Sequence, residues 1–216
     1  MNSEMNVQEK SEEIVKVNAE SNANAEAESK EDVKKKVMKE IISNVLYFAG
    51  VLVIALLIVK FVVQRTEVEG KSMEPMLFNG ENLMVDKVTY RFREPKRFEV
   101  IVFQPFAEDK NTLYIKRVIA LPGETIQIKE DGSIYVNGDK LVESYGKEVI
   151  KKENIGRAEE PITLGQNEYF VMGDNRNNSS DSRSVAVGNV QKYQIIGKAW
   201  IRIWPLNKFG LIKMKK

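Results

Sequence analysis

Leu113-Tyr114-Ile115-Lys116-Arg117-Val118-Ile119-Ala120-Leu121-Pro122-Gly123 sets two cations inside an apolar, β-branched run that a Pro-Gly turn closes. Isoleucine and valine suit a pleated surface, and Pro-Gly punctuates the chain, so the stretch reads as a strand. Successive side chains on a strand leave opposite faces, so at least one of Lys116 and Arg117 meets the more buried side of the sheet. Two readings follow. Either both cations snorkel from a sheet edge, or a lysine amine is buried for a chemical reason.

Working outward, the neighbouring segments are strand-like as well. Arg97 to Phe103 is a near-continuous apolar run suited to the centre of a sheet,. Thr125–Lys129 and Ser133–Val136 flank Asp131-Gly132 and read as a hairpin,. Further upstream, Thr66–Glu69 and Leu83–Val88 are shorter strand candidates, with the charged stretch from Thr89 to Lys96 as a connection that ends at Glu94-Pro95,. Downstream, Glu143 to Pro161 is charged and aperiodic and is expected to be a surface excursion without chemistry,. Glu168–Met172 then leads into Gly173–Arg183, eleven residues without a large apolar side chain. This second stretch is either a solvated loop or one whose hydroxyls, Asp and Arg hold an active-site group in place. The fold expected is mainly β.

The N-terminal quarter is of another kind. Residues 1 to about 32 are polar and of low complexity, too poor in apolar surface to offset their ordering entropy, and so are expected to be a disordered tail,. Lys34, Lys35, Lys36 and Lys39 precede nineteen uncharged residues from Ile41 to Val59. A helix over 41–63 would be about 35 Å long, enough for a hydrocarbon core of about 30 Å. The basic flank lies on its N-terminal side, which predicts a cytoplasmic N-terminus and an exported remainder. No small-x-small cleavage site follows, so a retained anchor is expected instead of a removable leader. The domains are therefore a tail (1–40), a transmembrane helix (41–63) and an extracytoplasmic catalytic domain (64–216).

Composition narrows the chemistry. The chain has 33 Lys+Arg against 31 Asp+Glu, which makes no electrostatic case for nucleic-acid binding,. It has no cysteine and no histidine, which excludes disulfides, thiolate nucleophiles and any Ser-His-Asp triad,. Gly70-Lys71-Ser72-Met73-Glu74-Pro75-Met76 nevertheless places a lone serine in a turn constrained by glycine and proline, a few residues after the apolar segment,. A serine nucleophile in this chain needs a base other than histidine. A lysine titrates near ~10.4 in water, and apolar burial lowers that by several units, so Lys116 is the candidate to take the proton from Ser72.

At this point the chain resembles the type I signal peptidases of the short form found in Gram-positive bacteria. Gly70-x-Ser72-Met73-x-Pro75 looks like the family's nucleophile box, Arg97–Phe103 its following strand, and Tyr114–Ile119 with Leu121-Pro122-Gly123 its lysine box. Gly173–Arg183 is similar to its last box, and Gly197-Lys198-Ala199-Trp200 with Trp204-Pro205 to its C-terminal strand. Four boxes in one order behind one anchor are far more specific than any single match.

The resemblance implies a membrane-bound endopeptidase that removes signal peptides from secretory preproteins, with Ser72 as nucleophile, Lys116 as base and then acid, and neither metal nor cofactor. It also implies that Ser179 orients the Lys116 amine, that Asp181 and Arg183 hold the loop with Asp174 in support, and that Val68, Met73, Leu77, Tyr114 and Ile115 line pockets for small side chains. Any of those five residues is equally suited to a core. A substrate bound as an added strand points alternate residues to one side, which matches the Ala-x-Ala rule. Some members supply an oxyanion hydroxyl two residues before the nucleophile, where this chain has Gly70. The family also often has Thr or Ser at Met76 and Gly-Asp at Phe98-Glu99. Only residues 64–71 separate the expected anchor from Ser72, at most ~28 Å of chain, which implies a site held close to membrane lipid. Trp200, Trp204, Phe209 and Lys213–Lys216 are candidates for interfacial contact, the tryptophans equally for the core. Two other function classes remain open: a Ser-Lys self-cleaving regulator, against which stands the lack of a helix-turn-helix pattern, and a non-catalytic anchored β module.

Overall fold

The structure, a computed structural model, describes residues 33–58, 60–106, 108–109 and 112–212. The expected disordered tail over residues 1–32 and the terminal lysines 213–216 lie outside the described residues. The chain divides into two compact units, residues 1–56 and 57–216.

The helix α1 (Val33–Ile58), all but its last two residues in the first unit, has 26 residues and is exposed throughout. At ~1.5 Å per residue it is long and apolar enough to cross a membrane,. It begins eight residues before the span expected at 41, because lysines are good helix formers and nothing breaks the helix among them,. The other boundary also moves: Val63 is the first residue of a strand, where the run turns β-branched with Val62, Val63 and Thr66,.

The second unit is mainly β. A sheet of eight strands runs in the order β1 (Val63–Glu67), β2 (Asn82–Asp86), β11 (Ile195–Trp204), β3 (Val100–Phe103), β4 (Tyr114–Ala120), β9 (Glu168–Met172) and β10 (Val190–Gln191), with β12 (Gly210–Leu211) also on β11. A smaller sheet has the order β7 (Asp139–Lys140), β6 (Ile134–Val136), β5 (Thr125–Ile128) and β8 (Ile162–Thr163). Every pairing between described strands is antiparallel, and the β5–β6 hairpin lies where alternation and Asp131-Gly132 place it.

β4 lies between β3 and β9, with Lys116 opposite Ile101 and Arg117 opposite Val100 on one side and Met172 on the other. Paired on both edges, it offers no rim from which a cation can snorkel, and both Lys116 and Arg117 are buried. The alternative of two edge cations is thereby excluded. β3 is shorter than the run from Arg97, because Phe98 has φ 71° and breaks the extended path. The connection after β2 contains one helical turn, α2 (Thr89–Phe92), held by Asp86, whose carboxylate accepts from the Val88 and Thr89 N–H groups.

The stretch from Glu143 to Pro161 corrects an expectation. Tyr145, Ile150, Ile155 and Ala158 are buried, and they share one cluster with Ile126 and Ile128 of the small sheet and Phe170 and Met172 of the large one. The segment is part of the core, folded through two short 3-10 turns at 152–154 and 156–159. Its apolar residues follow neither a 2- nor a 3.6-residue period, so periodicity does not reveal them. Trp200, Trp204 and Phe209, in contrast, are exposed, which removes the core reading of the tryptophans.

Candidate active site

The turn between β1 and β2 delivers Ser72, and the middle of β4 delivers Lys116; 44 residues apart in sequence, their side chains meet with Lys116 Nζ donating to Ser72 Oγ at 2.9 Å. The amine also donates to the Ile115 carbonyl at 3.1 Å and lies 4.9 Å from the centroid of the Tyr114 ring. Lys116 is only 5% exposed. Burial is the main reason its pKa falls from the ordinary 10.5 to about 8; the nearby Asp181 and Asp174 carboxylates oppose the shift and Arg183 adds to it,.

The loop from Gly173 to Arg183 is folded onto both residues. Asn175 donates its N–H to the Ser72 carbonyl at 3.0 Å and its side-chain amide to the Lys71 carbonyl at 3.1 Å, which fixes the turn that carries Ser72. Gly173 passes so close that a Cβ there would collide with both the Ser72 carbonyl oxygen and Ser179 Oγ. Asp181 is wholly buried and takes the Gly173 N–H (3.0 Å) together with two bonds from Arg183 (both 2.8 Å). Burial alone would raise the pKa of Asp181, but the Arg183 hydrogen bond and charge and the Gly173 N–H outweigh it and hold the carboxyl below its usual range,. Asp174 pairs with Arg117 through two bonds of 2.7 and 2.6 Å, both side chains fully buried.

A cleft of about 570 Å³ opens over Ser72 and Lys116. Residues 66–73 form one wall, 112–116 the other, and Asn178 and Ser180 contribute from the loop. Gly70 has φ +82°, and nothing stands within 4 Å of where its Cβ would be. The left-handed backbone, more than lack of space, disfavours a side chain there.

A serine held against a desolvated lysine, on a mainly β unit preceded by an apolar helix, is the arrangement expected of the resemblance, and comparison with known proteins decides the family. The model of the family described as signal peptidase, peptidase S26, matches residues 39–204. The chain belongs to this signal peptidase family. It is 38% identical over 175 residues to signal peptidase I P of Bacillus subtilis subsp. natto, covering 77% of this chain and 92% of that one. It is 35% identical over 164 residues to the probable signal peptidase I-2 of Synechocystis sp., covering 74% and 72%. A crystal structure of a signal peptidase I from Enterococcus faecalis V583 is 31% identical, covering 49% of this chain and 97% of that one, with a TM-score of 0.39. As a member of the signal peptidase family the protein is a serine endopeptidase, a hydrolase of the class that removes signal peptides.

Not every family position carried over from sequence reaches the cleft. Val68, Met73, Tyr114 and Ile115 line it, whereas Leu77 is fully buried and is not among the lining residues; it packs with Leu83, Val85 and Val102. Ser179 lies against Gly173, and its buried Oγ is directed to the Asp181 carboxylate, which it helps to hold ionised, and not to Lys116. Three contributors were not assigned from sequence. Arg117 binds Asp174, a role signalled only by the second cation in the strand. Asn175 pins the Ser72 turn, and nothing distinguishes it among the loop's three asparagines. Tyr145 covers Arg117 from a segment read as surface. At the departures from the family pattern, Met76 Sδ accepts from Arg117 Nη2 at 2.7 Å, and buried Glu99 accepts from Arg93, Tyr90 and Lys198.

Proposed function

We propose that this signal peptidase-family enzyme cleaves exported preproteins through a Ser72–Lys116 dyad, after small-x-small sequences of the Ala-x-Ala kind. The 2.9 Å contact of Ser72 Oγ with a buried amine whose pKa burial lowers to about 8 supports this reading above all else. Neutral Lys116 takes the hydroxyl proton as Oγ attacks the scissile carbonyl, and the ammonium then returns it to the leaving amine of the mature protein. Water hydrolyses the acyl-enzyme with the same amine as base. The Ser72 N–H is the main-chain donor for the oxyanion, and Gly70 supplies no hydroxyl beside it.

Val68, Met73 and Ile115 give the cleft apolar walls near the nucleophile, which suit small side chains one and three residues before the cut,. Ser179 and the Asp181–Arg183 and Arg117–Asp174 pairs keep the amine's surroundings dry and fixed. α1 anchors the enzyme, with the lysine-rich side cytoplasmic and the catalytic unit exported, next to membrane lipid.

The deciding experiment compares Ser72→Ala and Lys116→Ala with wild type on a preprotein carrying an Ala-x-Ala site. Each is expected to lose at least about 10³-fold in kcat with its far-UV circular dichroism intact. Undiminished cleavage by either variant removes the dyad. Protease protection of right-side-out vesicles tests the orientation, which fails if residues after 64 are shielded.

A further inference from the structure

The segment between β7 and β8 has no part in the chemistry above, yet it encloses the ion pair next to the base. Tyr145 is 4% exposed, and its ring centroid lies 4.1 Å from the guanidinium carbon of Arg117 and 5.6 Å from that of Arg176. Phe98 meets the same ring edge-on at 5.5 Å. The Tyr145 hydroxyl is buried on the side of the Glu143 carboxylate, and the ring face is what it presents to the two guanidiniums. The segment is fastened on both sides of this contact. Glu143 pairs with Arg176 at 2.6 Å, the Lys147 N–H donates to the Asp174 carbonyl at 2.9 Å, and Lys147 Nζ pairs with Glu74, two residues after the nucleophile, at 2.8 Å.

We propose that Tyr145 is a positioning residue for the peptidase reaction: its ring face holds Arg117 against Asp174 and thereby maintains the dry, fixed surroundings in which Lys116 works. The inference rests on Lys116 being the base. A guanidinium over an aromatic face is attracted by the ring quadrupole, the more so where water is excluded. Arg117 and Lys116 are successive in β4 and leave opposite faces, so the strand backbone itself carries any shift of the guanidinium toward the amine. A second route runs through the loop. Asp174 follows Gly173, whose N–H donates to Asp181, and Asp181, Arg183 and Asp174 are the charged groups that act on the amine, beside Ser72 Oγ and the Tyr114 ring.

The direction of the effect follows from the cause of the Lys116 shift. Because burial lowers its pKa, water admitted by loss of the ring raises it and leaves less free amine at neutral pH,. Tyr145→Phe keeps the ring face and is expected to retain both kcat and the acid limb of the pH–rate profile. Tyr145→Leu is expected to move that limb up by about one pH unit and lower kcat at pH 7 about tenfold, with KM within about twofold of wild type. A Leu variant with an unmoved limb, whether or not its melting temperature falls, overturns the proposal. Should Tyr145→Leu fail to fold, phenylalanines bearing one, two and three ring fluorines at position 145 weaken the ring's cation attraction at nearly constant shape. Here kcat is expected to fall with each fluorine, and a flat series overturns the proposal. Lys116→Ala measured in parallel separates the two ideas: an active Lys116→Ala refutes the base itself, whereas an inactive one with an unresponsive Tyr145 series refutes only the positioning role.

Discussion

Phe98 occupies left-handed backbone at φ 71°, where a residue with a Cβ bears of order 1 kcal/mol of strain,. That conformation turns its carbonyl to accept from Arg117 Nη1 at 2.8 Å while its N–H donates to the Val118 carbonyl, also at 2.8 Å. Glycine would adopt it without strain, whereas phenylalanine adds a ring against Tyr145. Phe98→Gly is therefore expected to change stability by no more than about 1 kcal/mol, strain relief offsetting lost packing, as chemical denaturation reads it. Lys116 gives a larger effect of known sign. Its folded pKa near 8 lies below the unfolded value, so the native state binds fewer protons than the unfolded chain between about pH 8 and 10.5,. Stability should rise with pH across that window, and the cost of the amine, about 3 kcal/mol, is full below pH 8. Lys116→Met is expected to be inactive, to be more stable than wild type at pH 7 by up to that amount, and to lose the advantage near pH 10.5; equal unfolding midpoints at pH 7 would refute this. In wild type, kcat/KM should climb as pH passes through about 8.

At the scale of elements, the last loop acts as one piece. Its carboxylates and guanidiniums face inward, and Gly173 brings its backbone onto the turn that carries Ser72. Gly173→Ala is expected to displace Ser72 relative to Lys116 and lower kcat about 10²-fold while the domain stays folded, measured with single-turnover cleavage and circular dichroism. Much of this was legible. Lys116 stood out because two successive cations in a strand cannot share a face, and Ser72 because a chain without histidine needs another base. The composition of Gly173–Arg183 left a solvated loop and an inward-facing one equally open, and only the positions of Asp181 and Arg183 decide between them. What stayed hidden depends on contacts remote in sequence. The backbone of Phe98 is set by Arg117 and Val118, the direction of Leu77 by Leu83 and Val85, and the burial of Tyr145 by two arginines from β4 and the loop. None of these leaves a periodic trace.

For the molecule as a whole, the two sheets of the catalytic unit share one of its cores, since Ile119, Phe170 and Met172 from the large sheet pack with Ile126, Ile128 and Ile134 from the small one. The small sheet is therefore expected to melt with the large one. Ile126→Ala, at a fully buried position in that cluster, should cost about 2–5 kcal/mol and shift one cooperative transition, not create a second,. Two separate transitions by near-UV and far-UV circular dichroism would show the sheets to be independent. The dry pairs Arg117–Asp174 and Asp181–Arg183 have a further consequence, for the history of the sequence. Losing one partner of such a pair strands the other charge out of reach of water, at about 3–5 kcal/mol, a large part of a typical domain's stability,. Single-step neutral drift is closed at these four positions, and lineages that depart from them must change both members of a pair together.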